Sequence, residues 1–225
     1  YQRPADSKTF IPFMERYNEY NGEYPKQPMA DAGYGSFENY MYCTDKKMEL
    51  DMKYSMYTKK NEPKYKRNNK YNPLLWEMDE KGYKVCPNGY VFNQYVNEKY
   101  NEDGKYLRII QLYENKEKCG GCQFKENCLK RRKGYKTVSR DVVLNEFYAE
   151  VDKNLSTEQG KEMKKQRSIQ VEGAFGVIKQ DMKFTRFTRR GLKNTRMEFL
   201  LVCIGYNLRK YHNFRIKNKK KVVIN

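Results

Sequence analysis

No stretch of this 225-residue chain approaches the ~20 consecutive apolar residues that cross a bilayer. The amino end also lacks the basic, apolar and small-residue succession of a secretory leader. These absences argue against a helical membrane protein and lead us to expect a cytoplasmic, reduced setting with no membrane partner. Apolar residues are scarce as well, at 38%, while a third of the chain is charged. A core of the size this length allows therefore leans on 21 Tyr and 11 Phe, and solvated segments are expected around it. No internal repeat is apparent. The chain opens on Tyr1 without an initiator Met, so a piece of a longer polypeptide is expected.

What the chain has in excess is positive charge, +18 in all. A field of that size attracts polyanions, nucleic acid first among them. An AT-rich genome also enriches Lys, Asn and Tyr, but it does not segregate charge. Residues 1–129 hold 21 Lys and Arg against 19 Asp and Glu, whereas residues 130–225 hold 25 against 9. The second stretch is the expected electrostatic footprint on nucleic acid, with a membrane surface or a solvated face as the alternatives.

Phe10, Phe13, Met14 and Tyr17 recur at helical spacing between Asp6, an N-cap candidate, and Asn21-Gly22, predicting a helix over 7–20. Met29-Ala30 runs into Asp31, Gly33-Tyr34-Gly35 turns the chain, and Ser36 is placed to cap a following helix. Residues 44–72 show no clear periodicity and read as irregular or weakly helical. Strands are expected at 83–85, 90–100 and 105–113, the last two joined by a turn at 101–104, and again at 135–142. Helical spacing returns in RSIQVEGAFGVIKQDMKF, with Ile169, Val171, Ala174, Phe175, Ile178 and Met182 on one side and Glu172, Lys179 and Lys183 on the other. A last helix is predicted at about 194–212, ahead of a basic tail expected to be unfolded.

Phosphoryl transfer through two divalent ions needs carboxylates from distant parts of the chain converging on one point, because Mg²⁺ takes hard oxygen ligands. Asp31 at a strand end and Glu172 on a helix have suitable settings, although either residue type is also a common turn former or surface acid. Three stretches point further: ADAGYGSFENY at 30–40, RSIQVEGAFGVIKQDMKFTRFTRRG at 167–191, and Glu198 followed by Ile204-Gly205-Tyr206-Asn207-Leu208. Together they resemble the DDE transposases of bacterial insertion sequences, in the subgroup with a cysteine-bearing insertion, over residues 1–212.

The resemblance implies that Asp31 is the second metal-binding Asp and Glu172 the Glu that completes the triad. It places Lys179 near the terminal phosphates of the transposon end. Arg167 resembles the Arg that precedes the Glu, at a spacing that departs from neighbouring families. The family's first Asp lies upstream of the segment that begins YQRPADSKTF, and nothing here matches it; Asp6 falls where the family starts a helix. Residues 1–225 alone are therefore expected neither to cleave nor to join DNA. For the intact protein the resemblance implies Mg²⁺-dependent nicking at transposon ends, attack of the freed 3′-hydroxyl on target DNA, and a homodimer on paired ends in the nucleoid.

Cys86, Cys119, Cys122 and Cys128 form a second constellation. A C-x₂-C pair, a third Cys six residues on and a fourth ahead of Pro87-Asn88-Gly89 suit a tetrahedral structural Zn²⁺, with free thiols as the alternative. Cys43 and Cys203 sit inside helical patterns as small core residues. In FTRFTRRG, Arg186, Arg189 and Arg190 are candidate phosphate contacts together with Lys183, and Phe184 and Phe187 either stack on bases or pack the segment down.

The expected fold is α/β: a partial ribonuclease H-like core from residues 1–43 and 135–212, a mainly β zinc-binding insertion at 44–134, and a basic tail at 213–225. Competing readings are a non-catalytic DNA-binding protein derived from a transposase and a zinc protein that binds RNA.

Overall fold

A computed structural model describes residues 6–101, 104–130 and 134–222, with side chains placed as far as residue 218. The chain divides into two compact units, Tyr1–Lys161 and Glu162–Asn225.

In the first unit, helix α1, Ser7–Asn21, buries Phe10 and Met14 and leaves Phe13 exposed, so its apolar face is narrower than the spacing suggested. Gly22 ends it at φ +78°, its N–H returning to the Asn18 carbonyl. Asp6 begins it differently from the expectation. Its carbonyl, not its side chain, receives the Thr9 N–H and hydroxyl, and its carboxylate lies against Gly33.

Ser36 does cap helix α2, Phe37–Asp45, accepting the Asn39 N–H in extended backbone geometry. The buried Asn39 amide donates to the Ser7 and Tyr34 carbonyls at 2.8 and 2.7 Å, tying the start of α1, the turn after Asp31 and α2 together. The segment expected to be irregular or weakly helical contains a strong pattern: Met48, Leu50, Met52 and Tyr54 alternate along the chain and all are buried. This period of two inserts an extended run into the core beside Tyr40 and Cys43. Ala30 pairs with Met52 in a single parallel bridge, and the Tyr40 hydroxyl donates to the Met52 carbonyl. Helix α3, Pro63–Asn68, follows.

Strands β1, Lys84–Val85, and β2, Val91–Phe92, form a small antiparallel pair. Strands β3, Gln94–Asn101, β4, Arg108–Glu114, and β5, Thr137–Arg140, form an antiparallel sheet in that order, with an irregularity between Tyr95 and Asn97. The connection from β3 to β4 runs from Asn101 to Arg108, longer than the turn predicted, and Glu102 and Asp103 lie outside the described residues. Trp76, Phe92, Tyr113 and Val138 make a second, smaller core under these strands. Two short helices, α4 Lys116–Gly120 and α5 Lys125–Leu129, follow β4 and carry Cys119 and Cys128.

Strand β5 stops short of the predicted 142 because Asp141 caps the next helix. Its carboxylate accepts the Leu144 N–H at 2.9 Å and the Arg108 guanidinium at 2.6 Å. That helix, α6 Val142–Ser156, buries Phe147, Val151 and Leu155 at four-residue spacing against α2 and the 48–54 run.

Helix α7, Glu158–Gly176, contains the boundary between the units and ends in a π-helical turn, Val177–Asp181. In the second unit Ile178 is buried, whereas Ile169, Val171 and Phe175 are exposed, so the apolar side read from the sequence is largely uncovered within this unit. Helix α8, Leu192–Val222, is longer than predicted. The tail expected to be unfolded continues it through Val222. The protein thus mixes helices with small sheets.

Candidate functional site

Asp31 follows the Ala30 bridge and opens the turn that its own carbonyl closes, accepting the Tyr34 N–H at 3.0 Å. Its side chain is 57% exposed and stands 3.8 Å from the Lys53 ammonium. Gly35 lets this turn lie on the 48–54 run, since a β-carbon there would collide with the Lys53 carbonyl. Asp31 is therefore an accessible carboxylate on a well-fixed backbone. Lys53, beside it, was not singled out from the sequence; the alternation of 48–54 is the signal that could have placed it.

Glu172 lies exposed on α7, and Lys179 lies exposed in the π turn beyond it, its ammonium 5.9 Å from the centre of the Phe175 ring. A π turn advances through fewer degrees per residue than an α turn, so Lys179 departs from the strict seven-residue alignment expected of an unbroken α-helix. Single π turns inside α-helices recur at functional sites. Arg167 is half-buried on the same helix. Beyond the turn, Lys183 takes φ +58°, a left-handed conformation that closes the helix end, with the Phe184 N–H reaching the Ile178 carbonyl at 3.1 Å.

The segment from Phe184 to Gly191 folds back on the start of α8. Rings of Phe184, Phe187 and Phe199 meet at centroid separations of 5.4 to 6.4 Å, which favours packing for the two phenylalanines of this segment. The neighbouring Glu198 accepts the Thr188 N–H at 2.9 Å, the Thr188 hydroxyl at 2.7 Å and the Arg189 N–H at 3.1 Å. These bonds, the Thr188 hydroxyl first, hold the Glu198 carboxyl below the usual range. Lys183, Arg186, Arg189 and Arg190 are exposed around this fold-back. Residues 162–225 as a whole hold 17 Lys and Arg against 4 Asp and Glu.

In the first unit, Cys86, Cys119, Cys122 and Cys128 line one cavity, with Trp76 and Lys136 also in its wall. Burial raises the pKa of the Cys119 and Cys128 thiols, and the other thiols of the cluster raise it further. The Lys136 ammonium, 3.2 Å from the Cys128 carbonyl, opposes that rise at Cys128. The Asn88 amide points at Cys122 Sγ from 3.8 Å. Cys43 is buried in the main core, where burial pushes its thiol up to about 12, and Cys203 is half-buried on α8.

Asp31 in the first unit and Glu172 in the second are exposed carboxylates with hard oxygen donors, and the cavity is lined by soft thiols. Among the described residues no three His, Cys, Asp or Glu side chains are gathered closely enough to hold an ion as they stand. Nor is any described helix long and apolar enough to cross a membrane.

Comparison with known sequences adds one finding. No curated protein and no solved structure matches the chain. Residues 85–212, however, match the family model described as Transposase DDE domain. The match takes in all four cavity cysteines, Arg167, Glu172, Lys179 and the basic segment, while Asp31 lies before it. Over more than half its length, including the helix that carries Glu172 and Lys179, the chain matches this model, and it belongs to the family of transposase DDE domains.

Proposed function

We propose that the chain is part of the catalytic domain of a DNA transposase that cuts and joins strands at transposon ends, built on a ribonuclease H-like core. The family match across Glu172 and Lys179 carries this reading. Asp31 and Glu172 are the carboxylates that would hold Mg²⁺, and the bound metal would stabilise the attacking and leaving oxygens of the transferred phosphate. Lys179 would neutralise a terminal phosphate, and Arg167 on α7 would assist it. Lys183, Arg186, Arg189 and Arg190 are the contacts to the DNA backbone, and paired ends imply a homodimer.

The cysteine cavity is proposed as a structural zinc centre rather than part of the chemistry. Four thiols around one cavity, in a region whose core is only a handful of side chains, support it. Protein purified from zinc-replete cells should carry one zinc per chain by elemental analysis, and Cys119→Ser with Cys122→Ser should lower that to near zero. Four freely reactive thiols and no zinc would reject the assignment.

The transposase reading itself is tested by excision. The complete coding sequence with its flanking genomic DNA, placed inside a reporter gene, should restore the reporter at a measurable frequency. DNA binding by the protein without any excision would instead establish a non-catalytic DNA-binding protein.

A further inference from the structure

The basic segment that follows the π turn lies against one carboxylate whose position is at odds with simple electrostatics. Glu198 lies beside Arg189, where a negative charge weakens the attraction of the segment for any polyanion. Its oxygens are turned inward on the backbone. Oε1 takes the Thr188 N–H and hydroxyl, and Oε2 takes the Arg189 N–H at 3.1 Å and lies 3.2 Å from the Thr188 nitrogen.

Neighbouring contacts complete a clamp. Phe199, next to Glu198, meets Phe184 and Phe187 on the other side of the loop. Gly191, at φ +80°, turns the chain into α8, with its carbonyl accepting the Thr195 N–H at 3.0 Å. The Asn194 amide donates to the Arg190 carbonyl at 3.1 Å. The backbone of 184–191 is thereby held at both ends and in the middle, while the side chains of Arg186, Arg189 and Arg190 remain exposed.

We infer that Glu198 is a positioning residue for DNA: by fixing the backbone at Thr188 and Arg189, it sets Arg186, Arg189 and Arg190 in one arrangement that grips the phosphates of a single strand segment. Ordering three long side chains on a free loop opposes binding, so a loop ordered in advance binds more tightly. The inference rests on the reading of this segment as a DNA contact.

Charge and positioning predict opposite signs, which makes the inference testable. Glu198→Gln removes a negative charge, so charge alone predicts tighter binding to DNA. It also puts a donor where Oε2 accepts the Arg189 N–H, so positioning predicts weaker binding. On a duplex oligonucleotide with the full chain we expect Kd to rise about tenfold, the size of one lost charge-assisted bond. The slope of log K against log salt should become shallower by roughly one contact or more. Thr188→Val leaves the charge unchanged and removes one of the donors, so it should shift both quantities the same way by a smaller amount. Unchanged or tighter binding by Glu198→Gln, or a Thr188→Val protein indistinguishable from wild type, overturns the inference. The triple variant Arg186→Ala, Arg189→Ala, Arg190→Ala separates it from the reading beneath. If that variant keeps the wild-type salt slope, the segment does not contact DNA; if it flattens the slope and Glu198→Gln does not, positioning alone is wrong.

Discussion

At the residue scale, the sharpest physical tension is Asp51. It is 2% exposed, between Leu50 and Met52, and its Oδ2 has no hydrogen-bond partner among the described residues. Burial raises its pKa to about 6 from an ordinary 3.8, with Glu49 and Glu150 adding to the rise. Below pH 4 the carboxyl is protonated in both folded and unfolded chains and has no effect. Between pH 4 and 6 the unfolded chain gives up this proton while the folded one keeps it, so stability falls as pH rises, by up to ~3 kcal/mol above pH 6. Asp51→Asn should therefore stabilise the protein at pH 8 and leave it nearly unchanged at pH 4, read from urea midpoints at the two values. Equal effects at both would show that the carboxyl is not perturbed. Nothing in the sequence marked Asp51, since an acid between two apolar residues of a period-two run is expected on the outer face.

Lys183 belongs to the same scale and has a clearer origin. A side chain in the left-handed region costs on the order of 1 kcal/mol where glycine costs nothing, and Lys183 takes φ +58° at the end of the π turn. Lys183→Gly should raise stability by up to ~1 kcal/mol in urea unfolding while weakening DNA binding, because one exposed cation is lost. A loss of stability would show that the helix does not end in this conformation.

At the scale of elements, legibility followed the width of the buried face. Helix α1 and the Ser36 cap of α2 were readable because the pattern and the stop signals are local. The 48–54 run was hidden because its alternating buried residues include two methionines and a tyrosine, in a lysine-rich neighbourhood that reads as solvated. Helix α6 went unread because the strand before it passes into it without a glycine or proline; Asp141 alone marks the change. The π turn at 177–181 has no local signature in the sequence, yet it decides where Lys179 points. Glu172, Lys179 and the arginines are candidates because they stand in long motifs that resemble a known family, whereas Lys53 and the hydrogen bonds of Glu198 emerge only from contacts.

At the scale of the molecule, charge and chemistry divide along the chain. The first unit contains the two packed cores, the cysteine cavity and Asp31; the second carries Glu172, Lys179 and most of the excess positive charge. A transposase needs both kinds of surface, one to hold a long polyanion and one to place carboxylates at a single phosphate. The family match spans the boundary between the units and takes in both the acid on α7 and the cysteine cavity. Cleavage of DNA carrying the ends that flank the coding sequence tests this account most directly, using protein from the complete coding sequence and comparing wild type with Glu172→Gln and Asp31→Asn. The account predicts Mg²⁺-dependent nicking by wild type, a loss of at least ~100-fold in each variant, as expected for groups more intimate with a metal than its outer supports, and DNA affinity within a few-fold of wild type. Nicking that persists at the wild-type rate in Glu172→Gln would contradict it.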